Sequence, residues 1–177
     1  MKHLYEIDFL QPLAKGIWLV KGPGKGRFPH CNGFLMIGDR TVLVDAGIGA
    51  ERIGEIDRRT RIDTLIISHS HPDHILAWHA LKDRQLFLPN QTPASVGDLR
   101  LLGQRFVEGR QAAQYWTWVA SRRLGIHPMR RPDDRFDDGD ILNFGPIQLR
   151  AIYAPGHLED HYCFLETHSG VLFSIKK

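Results

Sequence analysis

Thr64-Leu65-Ile66-Ile67-Ser68-His69-Ser70-His71-Pro72-Asp73-His74 carries the densest information in this chain. Its first four residues form an apolar run without polar alternation, the pattern of a strand buried on both faces of a sheet. Three imidazoles and one carboxylate follow within six residues, at that strand's C-terminal end. A helix would spread these positions around its axis. An extended or tightly turning segment lets His69 and His71, two apart, point to one side. Asp73 and His74 then turn back toward the same cavity as the next helix begins. Neutral imidazole and carboxylate oxygen are ligands that zinc accepts at about 2.0–2.2 Å. Iron and manganese use the same donors.

Upstream, Gly16–Val20 reads as a strand, followed by a loop from Lys21 to Pro29 with three glycines and two prolines. Gly33–Ile37 and Thr41–Val44 flank a Gly38-Asp39 turn and read as a β-hairpin that ends in Asp45-Ala46-Gly47. Glu51–Arg59, with Ile53 and Ile56 three apart, suits a short amphipathic helix. Downstream come a helical segment with Ile75, Leu76 and Trp78, and a strand at Leu86–Leu88. Leu99 to Leu124 reads as one long helix. Leu102, Phe106, Gly109, Ala113, Trp116 and Ala120 share a face, Asp98 caps the start and Gly125 stops the end. The stretch Pro89 to Arg135 is expected as a helical insertion over one face. Its part from Asp98 onward holds eight arginines against four acids. These suit a solvated helix face, or a lid that draws anionic substrate inward. Strands at Ile147–Ile152, His161–Leu165 and Val171–Ile175 close the chain.

The 177 residues suit a single domain, 1–177, and 42% hydrophobic with 24% charged residues is ordinary for a globular protein. The net charge of +3 is too small to indicate a nucleic-acid binder. No apolar run reaches the roughly 18 residues of a membrane helix. Two cysteines, Cys31 and Cys163, are too few for a disulfide framework. With no export signal in MKHLYEIDFL, a cytoplasmic location is expected.

The motif at 69–74 resembles the HxHxDH signature of the metallo-β-lactamase superfamily. Asn32–Leu35 and Val42–Gly47 look like that family's N-terminal hairpin and its aspartate-containing turn. Ala154-Pro155-Gly156-His157 looks like its third motif. The resemblance implies an α/β fold, the αββα sandwich. It implies a first metal site at His69, His71 and His157, with a fourth position open to water, and a second site that includes Asp73 and His74. Zinc is the expected ion, one or two per chain, with iron or manganese as alternatives. Metal-activated hydroxide would be the nucleophile, and Asp73 would orient it and shuttle its proton. Asp45 is expected to organise the metal loop through hydrogen bonds. His161 reads as a structural or rim residue. His30, His79, His127 and His168 carry no partner pattern. Tyr115, Trp116 and Trp118 suit core packing or an apolar pocket wall.

The family pattern breaks near the end. Lys176 stands where the resemblance calls for a metal-bridging aspartate, and the last histidine of the second site has no counterpart. The second half of the sandwich is therefore expected to be incomplete. Three readings follow: a mononuclear hydrolase acting on an ester, thioester, lactone or similar small molecule; a shortened relative of a two-metal enzyme; or a degenerate domain that binds metal, ligand or partner without turnover. An uncovered sheet face would favour a homodimer.

Overall fold

The computed structural model describes residues 4–174. Ile175, Lys176 and Lys177 lie outside them. With them lie the last residue of the expected Val171–Ile175 strand and the position expected for a bridging aspartate.

A seven-stranded sheet holds β1 (Leu10–Ala14), β2 (Ile17–Val20), β3 (Gly33–Ile37), β4 (Thr41–Val44), β5 (Thr64–Ile66), β6 (Gln85–Pro89) and β7 (Asp134–Phe136), in that spatial order. Pairing is antiparallel from β1 to β4 and parallel from β4 to β7. A second, antiparallel sheet has the order β11-β10-β9-β8, with β8 (Ile141–Asn143), β9 (Gln148–Tyr153), β10 (Tyr162–Glu166) and β11 (Leu172–Phe173).

Strand alternation explains the layering. Along β4, Leu43 packs into a core shared with the helices, while Val42 and Val44 face the second sheet. Leu65 and Ile66 in β5 divide the same way. A strand whose successive side chains enter two different cores must be apolar at every position, which is why Thr64–Ile67 shows no alternation. The inter-sheet core gathers Phe136, Leu149, Tyr162, Phe164 and Phe173, all fully buried. Each such side chain contributes about 1.5–3 kcal/mol. This inter-sheet cluster contains no helical residue. On the far side of the second sheet, Arg150 is exposed and Ile152, Cys163 and Leu165 are half-buried. Among the described residues the order is therefore helices, sheet, sheet. It is a sandwich of the αββα type, with no helical layer over the second sheet among the described residues.

The hairpin, the helix α1 (Ala50–Thr60) and the buried strand β5 stand where the sequence pattern puts them, and the short helix α2 (Pro72–Ile75) follows β5. Strands β1, β7 and β8 have no expected counterpart. The stretch expected as an insertion is the crossover joining parallel β6 to β7, with Pro89 inside β6 and Arg135 inside β7. Its expected single helix is two: α3 (Leu99–Phe106) and α4 (Arg110–Arg122). The break has a backbone cause. Val107 is extended at φ −139°, and Gly109 has φ 86°, a region that glycine enters without a Cβ penalty. Asp98 caps α3, accepting a 2.8 Å bond from the Arg100 amide. The two helices pack closely because Gly103 has no side chain. A Cβ there would sit 2.9 Å from the Trp116 ring. Two of the crossover arginines serve the scaffold. Arg130 donates to the Lys82 and Arg84 carbonyls and Arg135 to that of Pro89.

Glu166 knits the second sheet to its last turn. Its buried carboxylate accepts from Ser169 Oγ at 2.6 Å, the Ser169 amide at 2.7 Å and the Gln148 amide at 3.2 Å. Burial by itself raises the pKa of this group, but the donors outweigh it and hold the carboxyl down to about 2. A depressed folded-state pKa stabilises above the unfolded value near 4.5 and ceases to do so as pH falls toward 2. Glu166→Gln is expected to lower stability at pH 7 by roughly 2–3 kcal/mol. The gap to the native chain should close between about pH 5 and pH 2, as read by urea unfolding at a series of pH values.

Candidate metal centre

Strand β4 ends where Asp45 turns into the left-handed region at φ 65°. Aspartate tolerates that conformation better than most residues. The turn aims a carboxylate, fully buried, at the start of the histidine segment that follows β5. Asp45 Oδ1 accepts from the Ser68 amide at 2.8 Å. Oδ2 accepts from Ser68 Oγ and from His74 Nδ1, each at 2.8 Å.

These bonds propagate. Ser68 Oγ–H is committed to Asp45, so Ser68 Oγ accepts from His69 Nδ1 at 2.9 Å. That assignment leaves His69 Nε2 with a lone pair, and this nitrogen lies 3.0 Å from His71 Nδ1. Two imidazole nitrogens facing at that distance must share a proton or turn both lone pairs onto one cation.

His157 joins them from the β9–β10 loop, some 86 positions further along the chain. One ligand nitrogen from each of His69, His71 and His157 falls within 4.8 Å of the others. The His71 and His157 ring centroids are 4.5 Å apart. The loops are tied together, since the Tyr162 amide donates to the Ser68 carbonyl at 3.0 Å. Arg105 donates to Ser70 Oγ at 2.9 Å and pairs with Glu159. Burial, with the rings of His74, His71, His161 and His157 around it, pushes the His69 pKa far down. Burial, with His157 beside it, holds His71 at about 4. Both rings are therefore neutral at pH 7, as metal ligands must be. The donor set fits a divalent cation, which His69, His71 and exposed His157 would hold through three nitrogens.

Asp73 and His74 are not in that three-nitrogen group, although they line the same cavity. Asp73 Oδ2 lies 4.0 Å from His74 Nε2, and both residues are buried. Cys31, Asp45 and His74 form a second convergent set, again with ligand atoms within 4.8 Å of one another. Of the two expectations for His161, a structural or a rim residue, its burial favours the structural one. This histidine is 4% exposed and stacks edge-on to His69 at 4.9 Å. Its Nδ1 donates to the Ala154 carbonyl at 2.9 Å, leaving a buried Nε2 with no hydrogen-bond partner. His79 and His127 stack on each other at the surface, with ring centroids 4.1 Å apart.

A cavity of about 640 Å³ opens over the histidines. Leu19, Phe28, Phe34, Phe106 and Trp116 give it apolar walls, and Lys25 contributes a cation. Trp116 thus belongs to the pocket. Tyr115 and Trp118, 68% and 47% exposed, belong neither to the pocket nor to the core. Ser68, Cys31 and Phe106 carry no motif signal of their own. Only the position of Ser68, adjoining the histidines at the end of a buried strand, marks it.

Asp45→Asn keeps a residue that tolerates positive φ but weakens the carboxylate relay. Zinc affinity is expected to fall about 10- to 100-fold with folding retained, measured by competition against a chromophoric chelator. Unchanged affinity would limit Asp45 to a scaffold role.

Residues 26–175 match the sequence profile described as the metallo-beta-lactamase superfamily. An atrochrysone carboxyl ACP thioesterase of Aspergillus fumigatus is 24% identical over 178 residues, covering 97% of this chain and 47% of that protein. A hydroxyacylglutathione hydrolase of Francisella tularensis subsp. holarctica is 24% identical over 115 residues, covering 65% of this chain and 33% of that protein. Among solved structures, a Cronobacter sakazakii metallo-beta-lactamase with an HARLDQ motif superposes with a TM-score of 0.65 at 18% identity. That match covers 93% of this chain and 60% of the other. The chain spans between a third and three-fifths of the lengths of these relatives. No helix among the described residues is long and apolar enough to cross a membrane. With a family match along most of its length, and the histidine motif set at the end of a parallel strand beneath a two-sheet sandwich, the chain belongs to the metallo-β-lactamase superfamily.

Proposed function

We propose that this chain is a metal-dependent hydrolase of ester, thioester or lactone carbonyls. The observation that carries the proposal is the convergence of three imidazoles, from loops distant in sequence, with His71 and His157 lining an apolar cavity. His69, His71 and His157 would hold the ion, and zinc suits their nitrogens best. When bound, such an ion polarises a carbonyl oxygen and brings the pKa of water toward about 7.

The remaining chemistry falls to the chain itself. We assign Asp73 the proton work: its carboxylate takes a proton from the attacking water and returns it to the leaving oxygen or sulfur. Phe28, Phe106 and Trp116 would bind an apolar acyl group and keep bulk water from it. Lys25 would attract a negatively charged end of a small-molecule substrate. The thioesterase and the hydroxyacylglutathione hydrolase among the relatives support a thioester in particular.

The metal-free chain is expected to take up zinc and then hydrolyse a generic aryl ester or acyl thioester. His69→Ala and His157→Ala should each lower turnover by at least about 100-fold while far-ultraviolet circular dichroism stays unchanged. Tight zinc binding with no turnover on any carbonyl substrate would replace the hydrolase with a domain that binds metal without catalysis.

A further inference from the structure

Cys31 sits immediately before β3, outside every motif of the first metal site, yet the fold brings it to the same cavity. It is 3% exposed, beside Asp45 at 0% and His74 at 5%. The three residues come from three separate segments: the loop before β3, the end of β4 and the helical turn Pro72–Ile75. One ligand atom from each lies within 4.8 Å of the other two.

The backbone is shaped to allow this approach. The Cys31 amide donates to the Gly47 carbonyl at 3.2 Å, and Gly47 leaves room for the sulfur. A Cβ at Gly47 would lie 2.4 Å from Cys31 Sγ and 1.7 Å from the Asp73 carbonyl oxygen. A buried cysteine in an ordinary core has aliphatic neighbours and acts as a small hydrophobe. Here its near neighbours include an imidazole and a carboxylate.

We infer that Cys31, His74 and Asp45 form a second, thiolate-containing cation site next to the three-histidine site. Sulfur, nitrogen and oxygen together suit a borderline ion such as zinc or cobalt(II), with a longer metal–sulfur than metal–nitrogen bond. On loading, the S–H bond of Cys31 breaks, its proton leaves to solvent, and the sulfur electron pair forms the bond to the ion. His74 binds as a neutral ring. Asp45 contributes an oxygen and retains the Ser68 donors. The His69 and His74 ring centroids are 3.9 Å apart, so the two sites are immediate neighbours. This inference does not rest on hydrolysis, because it concerns ligation alone.

Cobalt(II) reports it directly, since thiolate ligation gives an intense near-ultraviolet charge-transfer band that imidazole and carboxylate do not. The metal-free full chain, titrated with cobalt(II), is expected to bind two equivalents and to develop that band. Cys31→Ser should lose the band and one equivalent. Cys163→Ser should keep both, and His157→Ala should lose one equivalent but keep the band. Should Cys31→Ser fold poorly, the unmodified chain still decides: cobalt(II) should protect Cys31, and not Cys163, from alkylation mapped by mass spectrometry. Absence of the band in the unmodified chain, or its survival in a folded Cys31→Ser variant, would overturn the site. No substrate enters the experiment, so failure of the hydrolytic proposal leaves its outcome untouched.

Discussion

The buried carboxylate of Asp45 is the constraint on which the rest depends. It lies where β4 ends, in a backbone conformation that few side chains accept, and it receives three hydrogen bonds from the segment that follows β5. A carboxylate removed from water without such donors would cost several kcal/mol. The donors offset that cost only if Ser68 and His74 stand where they do. The same bonds therefore satisfy Asp45 and dictate the path of the histidine loop. Because β4 and β5 are parallel neighbours, with Val44 opposite Ile66, both loops leave the sheet at one edge. Parallel strands present their C-terminal ends as a binding crevice, and here that crevice is made rigid by one acceptor group.

The two cores make the edge stiff. Val42, Val44 and Ile66 lock the sheet to its partner sheet, while Leu43, Leu65 and Ile67 lock it to the helices. No residue of β4 or β5 is free to slip in register without moving apolar side chains from one core to the other. That stiffness matters for metal binding, which needs nitrogens fixed to within a fraction of an ångström. The second sheet then delivers His157 across the gap, and the Tyr162 to Ser68 bond ties β10 to the histidine segment.

How much of this was legible in the sequence follows from how local each signal is. The double burial of β5 and the hairpin before it write themselves as uninterrupted or alternating apolar residues, so both were readable. Residues two apart on an extended segment must share a side, which made His69 and His71 readable as a pair. The break between α3 and α4 was not readable. Gly109 falls on the apolar face in helical periodicity, which conceals both its positive φ and the close packing of the two helices at Gly103. Strand β1 escaped because exposed Gln11, Pro12 and Leu13 conceal its pairing with β2. Cys31 and Ser68 act through partners far along the chain, and a single sulfur or hydroxyl carries no period to detect. His161 stayed open between a structural and a rim role because its burial depends on how the β9–β10 loop folds against His69.

The histidine cluster makes sense only with something besides protons to hold it. Each imidazole that takes a proton repels its neighbours, and burial adds to the penalty. Protonation is thus suppressed at His69 and His71 well below neutral pH. A lone divalent cation is a different ligand for the same cluster, because it accepts several lone pairs at once and turns crowding from a cost into a fit. The His161 ring, with one nitrogen tied to Ala154 and the other buried without a partner, adds to the electron-rich wall around that position. A fold selected merely for stability would replace such a cluster with aliphatic side chains, at no loss of packing. Where His71 and His157 line an apolar cavity, the cluster meets both needs of the cation site proposed above: several lone pairs to bind an ion, and one side open to a reactant.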